Sequence, residues 1–540
     1  MVPGGGLFSL VAYGAQNVLL SGNPSFTYFY KTYKKYAHFA EESVTFAMDG
    51  PQSLSYDQPI QIRYKFQRIA DLVRDIYFTF DLPDIYCKYI ESVQPNGRTP
   101  DTQYNFAWTD YIGCQIIQSV GIYIGGQKIQ EFDGSYMIAK AQCDLDNRSY
   151  QKWRVLVGDL PELNDPSKGI YAGGSSGLSG GGYPLVYNNN GPPPASKTTP
   201  PNVNRPSIQG RRLQVPLPFW FAESTFEALP LVSLQYHECE VQLTLRPINQ
   251  LYTILDLSGN QVAPSYQSHP SPSALQPENV YYTAVSNISD VTINNFLTDI
   301  GMPPPLLNTW PLNPAIQLTY VYVTDDERAQ FSAEPLQYLV RQITSYAFPG
   351  LISRQFVELD THNPIERLII LPRRSDSLLY RNQVANFTNW INPYKPPYIA
   401  PCVIPTPVVP TWGNPINTTS ATGAQVLNGQ RQILRELSVL GDGNLLQEQK
   451  PIEYFTEVVP WKYLTGIPTP GLIVYPFSLA SPSPQPDGSI NSSRIKLFQV
   501  DLNVYPLSSN SFYQYDVVIY VESLNWVSIA SGMGGLKYAL

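Results

Sequence analysis

The chain has 540 residues, enough for two large β-domains or three to four average ones, each able to bury a full core. Hydrophobic residues make up 43%, which argues against a disordered chain, and 50 Pro with 36 Gly would break a long helical array repeatedly. A net charge of −8 argues against a general nucleic-acid coat, which needs a basic surface.

Met1 to Leu20 lacks a basic start, and Ser9, Gly14, Gln16 and Asn17 interrupt its apolar residues. It therefore reads as neither a signal peptide nor a membrane span, and synthesis in the cytoplasm is expected. Residues 1–40 carry Lys31, Lys34 and Lys35 and no acid. A solvated basic patch is the plain reading. Contact with an anionic membrane or partner is the sharper one. Ile76, Phe78, Phe80 and Leu82 alternate with Tyr77, Thr79 and Asp81, which predicts a strand with one buried face. Gly121 to Ile129 reads as a hairpin turning at Gly125-Gly126, where positive φ costs little. A helical piece is expected over Tyr136 to Asp144. Cys239, Val241, Leu243 and Leu245 predict another half-buried strand.

Long loops are expected at 171–212, 250–314 and 391–424, all rich in Gly, Pro, Ser or Asn. Thr324-Asp-Asp-Glu327 has the form of a capping box, opening a helix that runs toward Leu339 and is bounded or kinked at Pro335. Ile495 and Leu497 alternate in one phase, and Phe498, Val500, Leu502 and Val504 in the other, which predicts a bulge near Leu497. Tyr515 to Val521 and Leu524 to Ile529 are two further strand candidates. No internal repeat is visible.

The five cysteines Cys87, Cys114, Cys143, Cys239 and Cys402 show no CxxC spacing and read as reduced, buried thiols. No HExxH or GK[ST] motif and no GxSxG elbow occurs; the Gly-rich run at 173–182 reads as a flexible loop. His237 and Cys239 share a strand face and could hold a metal, but packing with a backbone hydrogen bond is the favoured reading. Asp325-Asp326-Glu327 is explained by helix capping. No catalytic, cofactor or metal residues are assigned, and no cofactor is expected. Sequons stand at Asn147, Asn287, Asn386, Asn417 and Asn491. Asn287 and Asn417, in long loops, are the better glycosylation candidates, and Asn147 and Asn491 the less accessible ones.

Several blocks together resemble one family. Leu10-Val-Ala-Tyr-Gly-Ala-Gln16, Ser21-Gly-Asn-Pro24 and Thr27-Tyr-Phe-Tyr-Lys31 are similar to the amino-terminal motif of the major capsid proteins of nucleocytoplasmic large DNA viruses. So is Tyr36-Ala-His-Phe-Ala-Glu-Glu-Ser43. Pro218-Phe-Trp-Phe221, Ala228-Leu-Pro-Leu231 and Leu234-Gln-Tyr-His-Glu238 resemble a strand pair late in that family's first domain. Tyr322-Val-Thr-Asp-Asp-Glu-Arg328 resembles the passage between its domains. Pro470 to Leu479, Gln485-Pro-Asp-Gly488, Ser493-Arg-Ile495 and Ser531 to Leu536 resemble its second domain and carboxyl end. Asp487 departs from the pattern, where a small Ser is more usual.

The resemblance implies an all-β fold of two consecutive eight-stranded antiparallel jelly rolls with long loops and a few short helices. The division it suggests is an arm at 1–26, a first roll at 27–325, a helical connector at 326–340 and a second roll at 341–540. It implies a non-enzymatic shell protein of the virion, made in the host cytoplasm at a viral factory. Its partners would be two further copies in a homotrimeric pseudo-hexagonal capsomer, neighbouring capsomers, and minor capsid and penton proteins. The arm would lie on the inner side, touching neighbouring capsomers, minor capsid proteins or an internal membrane, and no direct nucleic-acid contact is expected. Two other readings are weighed against it. One is a β-rich surface module whose loops bind host glycans or receptors. The other is a jelly-roll glycosidase, which needs a cleft with two carboxylates ~5–9.5 Å apart.

Overall fold

A computed structural model describes residues 4–87, 89–90, 93–94, 97–98, 102–168, 183, 206–256, 261–263, 292–298, 305–378, 383–390, 432–481, 485–507 and 513–538. The expected loop at 391–424 lies outside the described residues, as do most of 171–212 and much of 250–314.

Eight strands build the two main sheets of the first unit: β1 (Phe39–Ala47), β2 (Ile60–Lys65), β3 (Leu72–Leu82), β4 (Ile117–Ile124), β5 (Gln127–Phe132), β6 (Arg211–Pro216), β7 (Cys239–Leu245) and β8 (Ala315–Val323). They form two antiparallel sheets of order β1-β8-β3-β6 and β2-β7-β4-β5. Eight more follow: β9 (Leu336–Leu351), β10 (Gln355–Glu358), β11 (Pro364–Arg374), β12 (Leu434–Gly441), β13 (Asn444–Pro451), β14 (Ile473–Pro476), β15 (Phe498–Val504) and β16 (Tyr515–Ala530). Their sheets run β9-β16-β11-β14 and β10-β15-β12-β13. Each order is the first with eight added to every label. The chain is thus a structural duplication that leaves no trace as a sequence repeat. A sandwich needs only alternation and turns, which many sequences supply.

The predicted strands β3, β4–β5 and β7 form, although Thr79, expected on the polar face of β3, is buried as well. Along β7, residues are buried and half-buried in strict alternation. The β4–β5 hairpin turns at Gly125 and Gly126, with φ of +57° and +81°, a primed turn that matches strand twist. Ile369 and Leu371 of β11 pack into the core of the first unit, while Leu368 and Ile370 fill that of the second. Both faces of this strand are buried, so it reads as a continuous apolar run. Each such side chain adds ~1.5–3 kcal/mol of burial. The two units therefore share an apolar seam.

Short helices decorate the rolls. α1 (Gly5–Val11) and α2 (Ala15–Ser21) lie in the arm, and none of their residues is buried. α3 (Gly134–Asp144) covers the expected helix, with Asp133 capping the Tyr136 amide at 2.8 Å. α4 (Asn147–Val157) was not anticipated, although its signals are in the sequence. Asp146 caps the Ser149 amide at 3.2 Å, and Gly158 stops it at φ +77°. α5 (Trp220–Glu223) is a single turn, and α6 (Asp325–Ala333) links the units.

Several expectations are corrected. α6 forms without the Thr324–Glu327 capping box: the Thr324 side chain makes no capping bond. Arg328 instead reaches back to Asp71 at 2.7 Å, fixing the helix to the first unit. Pro335 ends the helical segment, so residues 336–340 begin β9 rather than continue a connector. There is no bulge at Leu497. The phase change marks the start of β15, where the Asp442 carboxylate accepts the Lys496 and Leu497 amides at 2.9 Å each. The two late strand candidates are one strand, β16, paired along β9 and β11. Within 250–314, Tyr252–Asp256 is a strand paired with Thr102–Trp108, not loop.

Candidate assembly surfaces

A buried ionic network joins the two units. Arg367 of β11, almost fully buried, donates to Glu522 of β16 at 2.6 Å and to Asp144 at the end of α3 at 2.6 Å. Tyr136 of α3 donates to the same Glu522 at 2.7 Å. Lys140 reaches Asp144 at 3.0 Å and Glu223 of α5 at 3.1 Å. Arg341 of β9 reaches Glu223 at 3.3 Å and Glu366 at 2.6 Å. Every carboxylate in this chain of contacts meets a guanidinium or ammonium, which buried charge requires. Burial works against ionisation of Asp144 and Glu522, but the Arg367 and Lys140 charges outweigh it and hold both below the usual carboxylate range. Around the network, the Gly466 amide donates to Cys143 O at 2.8 Å and the Gln130 side chain to Arg341 O at 2.9 Å. A Cβ on Gly466 would lie 2.1 Å from Gln142 O, so this close approach requires glycine.

One carboxyl works against stability. Burial, and then the charge of Asp159, push Asp110 up to about 7. The unfolded group ionises near 3.8, so its contribution is full below that pH and is lost as pH rises to about 7. Asp110→Asn is expected to remove this loss. Its stability relative to the parent should rise by up to ~4 kcal/mol between pH 4 and pH 8, read by denaturant titration at both pH values.

The exposed surface carries large apolar side chains in two groups. Every described residue from 4 to 43 is exposed, including Leu19, Leu20, Tyr28 and Phe29, the last at 98%. A second group, Val458, Trp461 and Ile467, stands out near α7 (Val459–Tyr463), with Trp461 87% exposed. Exposed apolar side chains of this size, where they cluster, mark candidate contact surfaces. No helix among the described residues is long and apolar enough to cross a membrane.

The residues singled out in the sequence are dispersed. His237 Nδ1 lies 2.8 Å from Gly534 O, tying the carboxyl-terminal segment to the first unit. No metal-like cluster of His, Cys, Asp or Glu occurs among the described residues. Cys87, Cys114, Cys143 and Cys239 are buried, free thiols. Burial pushes Cys87 up to about 11 and Cys239 up to about 12, which leaves them unreactive. Cys402, Asn287 and Asn417 lie outside the described residues. Asn147 and Asn491 are exposed, contrary to expectation, because each sits at the start of a helical turn facing water. Asn386 spends its amide locally, on Gln383 and Thr388. The acids Asp325, Asp326 and Glu327 occupy the first turn of α6, as expected from the helix dipole.

Two family models cover most of the chain in succession. The first, described as "Major capsid protein N-terminus", matches residues 27–283, and the second, "Large eukaryotic DNA virus major capsid protein", matches residues 327–535. The chain belongs to the major capsid proteins of large DNA viruses. Relatives include the major capsid protein of Chrysochromulina ericina virus, 26% identical over 99% of this chain and 100% of that protein. That of Paramecium bursaria Chlorella virus 1 is 24% identical over 99% of both chains. The fold superposes on a chain of the PBCV-1 capsid with a TM-score of 0.60 at 19% identity, covering 95% of this chain and 100% of that one. The capsid protein is accordingly a double jelly roll and a structural component of the virion. Its joint network is the feature that sequence reasoning missed, since Tyr136 and Glu522 meet across 386 positions.

Proposed function

We propose that this capsid protein assembles as a homotrimer with a pseudo-hexagonal outline, and that such capsomers tile an icosahedral shell. The observation that carries the reading is the duplicated strand order joined by a buried ionic seam. Two alike rolls in one rigid chain become six around a threefold axis, a shape that packs on a hexagonal lattice. Cyclic symmetry then repeats one heterologous contact three times. The chain divides into the arm, two rolls and the helix α6 between them. The arm, with its exposed apolar side chains and three lysines, faces the shell interior, where it meets neighbouring capsomers, minor capsid proteins or an internal membrane. Penton proteins close the vertices, and synthesis takes place in the host cytoplasm. Purified protein, concentrated and imaged by negative stain, should form hexagonally packed sheets or closed shells. Single particles with no lattice at any concentration would overturn the reading.

A further inference from the structure

A cavity of about 460 Å³ opens where α3, α5 and the start of β9 meet. Its walls are apolar, formed by Ile76, Met137, Leu145, Trp153, Leu217 and Ala222. Its polar end holds Asp144, Glu223 and Glu227 against two cations, Lys140 and Arg341. Asp144 and Glu223 are paired with those cations, as described above. Glu227 is not. It is 8% exposed, and among the described residues its carboxyl makes no hydrogen bond and no ion pair. Burial, and then the charge of Glu223, push it up to about 7. A buried carboxyl without a donor is costly, and with Asp144 held by Lys140 and Arg367 and Glu223 by Lys140 and Arg341, Glu227 is the acid of the three left without a cation partner. The complement is a cationic head on an apolar stem, the chemistry of a lysine side chain. The size lies within the ~300–1,000 Å³ of ordinary ligand pockets.

The chain itself carries such groups free of any ion pair. Lys31, Lys34 and Lys35 alternate with Tyr30, Tyr33 and Tyr36 in the exposed arm, and residues 1–40 contain no acid. Among the described residues none of these lysines makes an ion pair within its own chain. The root of the arm is also near the cavity. Glu41 of β1 bonds to Arg74 at 2.7 Å, and Arg74 pairs at 2.7 Å with Asp75, which lines the rim. We propose that this cavity receives the lysine cluster of the amino-terminal arm from a second copy of the chain, with Glu227 as the carboxyl that takes the ammonium group. The inference rests on the capsid reading and names one of its intersubunit contacts. In a closed ring each arm then passes to the next cavity, and the contact repeats with the symmetry.

The test uses the full-length protein, assembled from a mixture of light and heavy nitrogen-labelled chains and treated with a zero-length carbodiimide. The expected result is an amide between Lys31, Lys34 or Lys35 and Glu227 or Glu223, in peptides that mix the two labels. The triple variant Lys31→Gln, Lys34→Gln, Lys35→Gln lies entirely in the exposed arm and should keep the parent's melting temperature while losing the link. Glu227→Gln should shift the remaining link to Glu223. Links confined to one label would show the arm folding onto its own chain and would overturn the proposal. So would lysines coupled only to Glu41 or Glu42. If shells form and the mixed link is absent, this inference alone fails. If the protein stays a single chain, the capsid reading fails with it.

Discussion

Replacing Arg367 with methionine is expected to lower the stability of the capsid protein by about 3–5 kcal/mol. The guanidinium is almost fully buried and holds two carboxylates from different units, Asp144 and Glu522. Removing it leaves both acids in a low dielectric with Lys140 as the remaining cation nearby, and an unpaired buried charge is the expensive outcome. Methionine keeps the volume, so the effect isolates charge from packing. Glu522→Gln alone should also destabilise, because it strands Arg367. The double variant should lose less than the sum of the two, because each partner is costly mainly when the other stays charged. Because the seam between the units is ionic as well as apolar, Arg367→Met should also split thermal unfolding into two transitions by calorimetry. A variant that melts in one step at the parent temperature would show that the network does not hold the units together.

Deleting residues 1–25 is expected to abolish shell formation and leave trimers intact. The removed segment contains α1 and α2, none of whose residues is buried, so no core is lost. What is lost is exposed apolar surface: Leu7, Phe8, Leu10, Val11, Val18, Leu19 and Leu20 all stand more than half in water. Burying such area against a neighbour contributes roughly 25 cal/mol per Å², and a shell repeats the contact at every capsomer. Native mass and electron microscopy of the truncated protein check the outcome together. Normal shells from the deletion would contradict the assigned role of the arm.

Much of the fold is written locally. The alternation in β3 and β7, the Gly125-Gly126 turn and the α6 region each depend on neighbours within a few residues, and each forms where its pattern stands. The failures have a common physical origin in contacts across the chain. Thr324 and Glu327 have the right spacing for a capping box, yet Arg328 finds Asp71 across 257 positions and sets the entry to α6 instead. The slip at Leu497 looks like a bulge until Asp442 supplies a side-chain acceptor for the two amides there. The duplication is invisible because Ile76 and Phe78 in one roll and Leu368 and Ile370 in the other need only match in pattern, not identity. The joint network was not legible at all. Lys140, Arg341, Arg367 and Glu522 are ordinary charged residues in the sequence, and only the packing of two rolls brings them into one buried set.

The most direct test of the account is the native mass of the purified protein by light scattering, with negative-stain images of the same peak. The account predicts a mass of three times 60.5 kDa and a hexagonal outline. A monodisperse species with the mass of one chain would contradict it.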